Sequence, residues 1–159
     1  LMAALHTSVM IFTVVIAASL ISTALGYLHI PVELANFIVS ANISPGQFII
    51  LTSVFFIFLG MILDGVSIIV MTLPILFSIV QSLGIDPIWF GIYLVIMVEV
   101  GQITPPVGFN LMIIHAIDGV PISRMALYAL PFCFLMCACV AVFYFAPNIV
   151  LYLPNILFN

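Results

Sequence analysis

The chain has 159 residues, of which 67% are hydrophobic and only 4% are charged. A water-soluble domain of this size needs many more polar groups on its surface, so the composition indicates a chain whose solvent is lipid. The formal net charge of −4, with one residue in total from Lys and Arg, excludes a nucleic-acid partner and the polybasic patch of a peripheral membrane protein.

The first predicted membrane span covers residues 5–28, which include small side chains that allow neighbouring helices to approach closely. The chain begins inside this apolar stretch with neither Met nor a basic leader, so we expect a fragment or a chain observed in part. Pro31 predicts a break after the span. Residues 31–42 mix Glu33 and Asn36 with apolar residues, which favours a short interfacial segment over a second span.

An acidic residue then separates two apolar arms. The first arm, residues 48–59, is about 18 Å long at a rise of 1.5 Å per residue, which is too short to cross a membrane. Asp64 follows, and because an Asp at membrane depth is costly, it should face protein or water. Two structures fit: one long span with a buried Asp64, or a re-entrant hairpin over residues 46–83 with its tip near Gly60 and Gly65. The flanking glycines favour the hairpin.

A second interruption occurs at two adjacent prolines. Residues 87–118 are largely apolar on both sides of Pro105 and Pro106, which together remove two backbone donors and block a helix. The pattern predicts a helix that is broken at membrane depth. Such breaks are tolerated only where they are buried in protein or line a cavity.

The last predicted span covers residues 125–146. Pro147 and Pro154 are expected to interrupt the tail that follows it. Arg124, which precedes the span, is the single basic residue apart from histidines, and the positive-inside rule favours a cytoplasmic position for its loop.

Broken membrane helices present partial charges at their ends. Unwound carbonyls and the C-terminal end of a half-helix attract cations, whereas the N-terminal end of the next half-helix attracts anions. A sodium ion needs several oxygen ligands, which residues 101–110 could supply, although a proline kink without a ligand is the alternative. The candidate oxygens are the carbonyls before Pro105 and Pro106, the Thr104 hydroxyl and the Asn110 amide, with Gly101 and Gly108 allowing close approach.

Three other polar residues lie among apolar neighbours. Asp64 stands three residues before Ser67, so it either caps the second arm or takes part directly by binding a cation or relaying a proton. Glu99 faces either the cavity or a partner elsewhere, and His115 is expected to be a hydrogen-bonded packing residue. Neither a Walker loop nor a Rossmann glycine pattern is present in the sequence, so transport energy would come from an ion gradient or another subunit.

The run from Gly60 to Leu153 resembles the C-terminal part of the large membrane subunit of TRAP (tripartite ATP-independent periplasmic) transporters. The matching motifs are, in chain order, GMILD at 60–64, LPI at 73–75, LGIDPIWFG at 83–91, GQITPPVG at 101–108 and PNIVLYLP at 147–154. GIDPIWFG followed by ITPPVG is the most specific part. Residues 1–59 match less sharply but are compatible, and Glu99 and Gln102 depart from the family pattern.

The resemblance implies an all-α, polytopic membrane fold, namely the second inverted repeat of an elevator-type transporter. Residues 1–44 would be a scaffold helix and an interfacial connector. Residues 45–118 would be half of the transport domain, with the helical hairpin at 46–83 and the discontinuous helix at 87–118. Residues 119–159 would be the terminal transmembrane helix and its tail. The chain would be similar to about the C-terminal third of the subunit.

The resemblance also implies a function. Family members are not enzymes; they import organic acids of the C4-dicarboxylate, 2-oxo acid or sialic acid class with sodium as the coupling ion and no other cofactor. Their partners are a small membrane subunit and a periplasmic substrate-binding protein, in the bacterial or archaeal cytoplasmic (inner) membrane. Carried over to this chain, the sodium ligands are Gly60, Gly101, Thr104 and Gly108. The ion or substrate site further includes Asp64, Pro105, Pro106 and Asn110.

Three alternatives compete with this interpretation. A non-transporting membrane scaffold would not explain two separate breaks at membrane depth. An anion transporter of another elevator family would share the broken helices. An intramembrane aspartyl protease would need two acids, for which Asp64 and Asp118 are the only plausible pair, but the chain lacks the Gly-x-Gly-Asp pattern of such enzymes.

Overall fold

The computed structural model describes residues 2–105 and 108–158, and across these residues the secondary structure is helical, with no strand. The prediction of an all-helical chain is confirmed. The helices are α1 (Met2–Tyr27), α2 (Ile30–Ser40), α3 (Pro45–Gly60), α4 (Gly65–Ser82), α5 (Pro87–Ile103), α6 (Phe109–Asp118), α7 (Ile122–Phe145) and α8 (Asn148–Phe158).

Two of the described helices, α4 and α7, are long and apolar enough to cross a membrane. A third candidate span exists if α2 and the preceding part of α1 are taken together, although the two segments meet at a bend of 63°. The bend follows from His29, whose φ of 57° lies in the left-handed region, and from Pro31. Pro31 occupies the first turn of α2, where a missing N–H leaves no hydrogen bond unmade.

A single unbroken span through Asp64 is excluded, because α3 ends at Gly60 and α4 begins at Gly65. Helix α3 is longer than the predicted arm, about 24 Å for its 16 residues. The extra turn at its start is explained by a capping box: the Ser44 hydroxyl accepts from the Gln47 N–H, and the Gln47 side chain accepts from the Ser44 N–H.

Helix α5 is the centre of the fold. Phe48 and Phe90 stack near the starts of α3 and α5 with ring centroids 6.3 Å apart, and Gly60 meets Gly101 near the ends of the same two helices. Helices α3 and α5 therefore run side by side in the same direction. The start of α4 at Gly65 instead lies against the last turns of α5, so α4 runs in the opposite direction.

A buried hydroxyl network fastens α3 to α5. The Tyr93 hydroxyl donates to the Ile49 carbonyl at 2.9 Å and lies 2.8 Å from the hydroxyls of both Thr52 and Ser53. Trp89 stacks on Tyr93 with centroids 5.6 Å apart, and its indole N–H donates to the Phe143 carbonyl of α7 at 2.9 Å. These bonds fix the first half of α5 relative to α3 and α7, and the Gly60–Gly101 contact holds its last turns against α3.

The C-terminal helices differ from the prediction at one proline. Pro147 lies between α7 and α8, as expected, but Pro154 lies inside α8, so the prediction that it interrupts the tail is wrong. Pro154 removes a single donor, the one that would bond to the Val150 carbonyl, and the turns on either side maintain the helix. Pro74 and Pro131 are likewise accommodated inside α4 and α7.

Candidate functional site

An open cleft of about 280 Å³ lies between α4, α5 and the start of α6, where the two interruptions of the chain meet. Its walls are apolar side chains of these helices. Its polar lining is unusual for so apolar a chain and consists of Asp64, Glu99, Gln102 and Asn110. The predicted site residues Asp64 and Asn110 thus line the same cleft. Glu99 also lines it, as the first of its two alternatives predicted.

Asp64 has a defined structural role in this cleft. One of its carboxylate oxygens accepts from the Ser67 N–H at 3.0 Å, and the other accepts from the Ser67 hydroxyl. Asp64 is the N-cap of α4, as one of its two interpretations predicted. The carboxylate is half-buried and also lines the cleft, so its direct involvement with an ion stays a prediction.

Gly60 and Gly101 form the closest approach of α3 and α5. A Cβ atom added at Gly60 would lie 2.7 Å from the backbone of Gly101, and one added at Gly101 would lie 2.6 Å from the Phe56 carbonyl oxygen. Neither contact could be relieved by a side-chain rotation, because the opposing atoms are backbone. The glycine pair is therefore a packing requirement of the helix crossing, whether or not its carbonyls also bind an ion.

The break after α5 begins at Thr104. Its N–H donates to the Gly101 carbonyl at 3.2 Å, and its hydroxyl donates to the Val100 carbonyl. The hydroxyl oxygen also lies 4.0 Å from the Cys133 sulfur of α7, so Thr104 faces α7 and is not part of the cleft lining. Its hydroxyl proton is used within the helix, which leaves an oxygen lone pair available to a cation.

The far side of the break is Gly108, which has a φ of 54°. A Cβ atom there would lie 2.9 Å from the Gln102 carbonyl oxygen, so a glycine is required for both backbone conformation and space. Pro105 is half-buried between the two helices. Pro106, the remaining predicted site residue, lies outside the described residues.

Four helix ends face the same region. Helices α3 and α5 end here, and α4 and α6 begin here, so negative and positive ends of helix dipoles lie close together. The nitrogen atoms of Pro105 and Pro106 cannot donate to the Gly101 and Gln102 carbonyls as a continuing helix would. The arrangement can therefore attract a cation to the helix C-terminal ends, whereas the N-terminal end of α4 is already capped by the Asp64 carboxylate.

The electrostatics of the cleft are dominated by acids. Asp64 and Glu99 supply two carboxylates, and no basic side chain is part of its lining. In residues 2–105 and 108–158, no group of three His, Cys, Asp or Glu side chains could hold a metal ion. The carboxylates, together with the carbonyl, hydroxyl and amide oxygens near the two breaks, are oxygen ligands of the kind that a hard ion prefers.

Two predicted residues lie elsewhere. His115 forms a hydrogen bond, with its Nδ1 2.7 Å from the Val120 carbonyl oxygen, but it is exposed and does not pack in a core. Asp118 is exposed at the end of α6 and is not in the lining that contains Asp64. The cleft thus does not bring together Asp64 and Asp118, the pair of acids that the aspartyl protease alternative requires.

Sequence reasoning missed two contributors. Tyr93 holds α5 against α3, but its partners are about forty positions away, and periodicity gives no indication of such pairing. Gly65 makes room for the Gln102 amide, because a Cβ atom at Gly65 would lie 2.6 Å from Gln102 Nε2. The GMILDG sequence at 60–65 predicted the turn, but it did not predict that Gly65 would lie against Gln102.

Comparisons with known proteins give a consistent result. The family model described as "Tripartite ATP-independent periplasmic transporter, DctM component" matches residues 1–149, which include the first 59 residues as well as the motif-bearing part. The C4-dicarboxylate TRAP transporter large permease proteins DctM of Pseudomonas aeruginosa and Rhodobacter capsulatus are each 32% identical to the chain, over 93% and 99% of it. The sialic acid TRAP transporter large permease protein SiaM of Vibrio cholerae is 27% identical over 80% of the chain.

These matches cover 35%, 36% and 30% of the three relatives, so the chain spans about a third of their length. No solved structure matches the chain.

Proposed function

We propose that this chain, which belongs to the DctM component family of tripartite ATP-independent periplasmic transporters, is part of a large permease subunit that imports an organic acid together with sodium. The relatives are permeases, so the chain belongs to a transport protein and not to an enzyme, and the aspartyl protease alternative is wrong. Because family membership is shown, a different elevator family is no longer an alternative.

One observation carries the proposal: the polar cleft lies where both helix interruptions meet. A protein that only needed to sit in the membrane would gain nothing from two interruptions, four polar side chains and a glycine-mediated helix crossing in one place. Non-helical backbone at membrane depth is tolerated where it lines a cavity, and transporters use such breaks to bind ions and solutes.

We place the sodium ion at the end of α5, beside the cleft. The Thr104 oxygen supports this position because its proton is donated to the Val100 carbonyl, leaving a lone pair for the ion. The Gly101 and Gly108 backbones are close by, and Gly60 brings the end of α3 against the same turn. Asp64 would add negative charge from the cleft side without needing to be a ligand.

We further propose that α3 and α4 form a re-entrant hairpin and that the unit moves as in an elevator transporter. Four residues join the two helices, which run in opposite directions and both pack on α5. Such a unit could carry the cleft through the membrane as one body, since the Tyr93 bonds and the glycine crossing hold α3 against α5.

The partners and location are also proposals. A small membrane subunit and a periplasmic substrate-binding protein would complete the system in a bacterial or archaeal inner membrane. One relative, from Oleidesulfovibrio alaskensis, is named "Isethionate TRAP transporter permease protein DctMQ". C4-dicarboxylates, 2-oxo acids and sialic acids are the candidate substrate classes for the complete subunit.

Replacing Thr104 tests the proposed function. In proteoliposomes that contain the full-length permease and its partners, a sodium gradient should drive uptake of a labelled organic acid. Thr104→Ala removes one oxygen ligand and should raise the sodium concentration for half-maximal uptake about tenfold, whereas Thr104→Ser keeps the oxygen and should stay near wild type.

Uptake that requires no sodium would contradict sodium coupling and would make a proton carried by Asp64 the mechanism to test. If Thr104→Ala retains the wild-type sodium dependence, the ion does not use this hydroxyl. Failure of the wild-type system to take up any organic acid would contradict the transport function itself.

A further inference from the structure

Gln102 has a property that the transport proposal does not use. It is only 5% exposed, it lines the cleft, and within residues 2–105 and 108–158 its carboxamide forms no hydrogen bond. Its amide nitrogen is seated over Gly65, where an added Cβ atom would lie 2.6 Å from it and would displace the Gln102 side chain. Among the described residues, no buried side-chain nitrogen or oxygen atom lacks a hydrogen-bond partner, so the unbonded Gln102 carboxamide must reach the open cleft, where it can bond a ligand.

The other polar groups of the cleft define what that ligand can be. The half-buried Asn110 adds a second carboxamide, and together the two amides can donate and accept hydrogen bonds. Asp64 and Glu99 add two carboxylates, which only accept. Arg124, the one Lys or Arg residue of the chain, is exposed and is not part of the lining.

A carboxylate that entered this cleft would meet two like charges and no basic side chain of this chain. Like charges a few ångströms apart repel each other even in water, so the open cleft disfavours a further anion. A hydroxyl or amide group, in contrast, can donate to Asp64 or Glu99 and accept from Gln102 or Asn110. The lining therefore discriminates between neutral polar groups and anionic ones.

We propose that this cleft binds the uncharged, hydroxyl- or amide-bearing end of a monocarboxylate, with Gln102 as the residue that determines specificity, and that it disfavours the second carboxylate of a dicarboxylate. This inference rests on the proposed function, and it selects among the substrate classes named there.

The test measures binding to the permease itself, because a periplasmic binding protein would impose its own specificity on uptake. Full-length permease with its small membrane subunit is placed in lipid nanodiscs in sodium buffer. N-acetylneuraminate is the hydroxylated monocarboxylate probe, and succinate is the dicarboxylate probe. We expect N-acetylneuraminate to bind more tightly than succinate by about tenfold or more, since unpaired polar groups penalise the wrong ligand.

Three variants test whether the preference for N-acetylneuraminate over succinate arises in the cleft. Gln102→Leu should weaken N-acetylneuraminate binding about tenfold, because it removes a hydrogen-bonding group, and should leave succinate binding unchanged. Glu99→Gln removes one carboxylate and should strengthen succinate binding. Gln81→Leu is the matched control, since Gln81 is exposed at the end of α4, away from the cleft, and should change neither affinity.

Succinate binding as tight as N-acetylneuraminate binding would overturn the proposal, as would a Gln102→Leu variant with unaltered preference. Absence of binding for both probes would overturn it as well. In that case sodium-driven uptake of either acid by the complete system separates the two hypotheses: uptake without binding in the cleft contradicts only the specificity assignment, whereas absence of uptake contradicts the transport function.

Discussion

Gly101→Ala is expected to destabilise the permease strongly, although it adds a single methyl group. The new Cβ atom would lie 2.6 Å from the Phe56 carbonyl oxygen and 3.0 Å from the Gly60 Cα atom, so α3 and α5 would have to separate. Overpacking of this kind costs about 1–3 kcal/mol, and the apparent melting temperature of the detergent-solubilised subunit should fall by roughly 2–10 °C.

Gly91→Ala is the matched control for this effect. Gly91 belongs to the same helix, but a Cβ atom there would meet nothing within 4 Å. Alanine also favours a helix over glycine by about 0.8–1 kcal/mol, so the melting temperature should stay level or rise. If Gly101→Ala and Gly91→Ala change the melting temperature equally at one scan rate, the close backbone contact between α3 and α5 is contradicted.

Asp64→Asn is expected to separate the two roles of this residue. Asparagine caps a helix about as well as aspartate, so α4 and the thermal stability of the subunit should be preserved. The negative charge is lost, however, and for a cation within about 8 Å at an effective dielectric constant of about 20 this amounts to roughly 2 kcal/mol. We therefore expect the sodium concentration for half-maximal uptake to rise about tenfold or more.

Asp86→Ala provides the comparison. Asp86 caps α5 by accepting from the Ile88 and Trp89 N–H groups at 2.8 and 3.0 Å, but it is exposed and lies outside the cleft. Its loss should cost about 1 kcal/mol of stability and leave the sodium dependence unchanged. If Asp64→Asn transports with wild-type sodium dependence, Asp64 is a helix cap and nothing more.

The helix ends could be predicted because their causes are local. Asp64 and Asp86 cap helices that begin at the next residue, and each bonds to N–H groups only two or three positions away. The two prolines after Thr104 interrupt α5 by their own geometry. A pattern of neighbouring residues suffices for features of this kind, so both interruptions were correctly located.

The contacts between helices could not be predicted in the same way. Gly60 and Gly101 were identified as candidate ion ligands, but their meeting as backbone partners depends on how α3 lies along α5. Thr104 was expected to share a site with Asp64 and Asn110, but its hydroxyl faces Cys133 of α7 instead of the cleft. Gln102 looked like a departure from the family pattern, and only its position over Gly65 gives it a role.

The central claim is that the cleft between α4, α5 and α6 is part of the path of the solute. Thiol labelling of an Asn110→Cys variant tests it most directly, in a full-length permease whose native cysteines, including those at 133, 137 and 139, have been replaced. Phe134→Cys, on the apolar and exposed surface of α7, serves as the unreactive control.

In permeabilised proteoliposomes, a membrane-impermeant maleimide should label position 110, and sodium together with a bound substrate should slow that labelling several-fold. Position 134 should stay unlabelled because it faces lipid or protein. A position 110 that resists the reagent, or one that is labelled equally fast with and without sodium and substrate, would contradict the account.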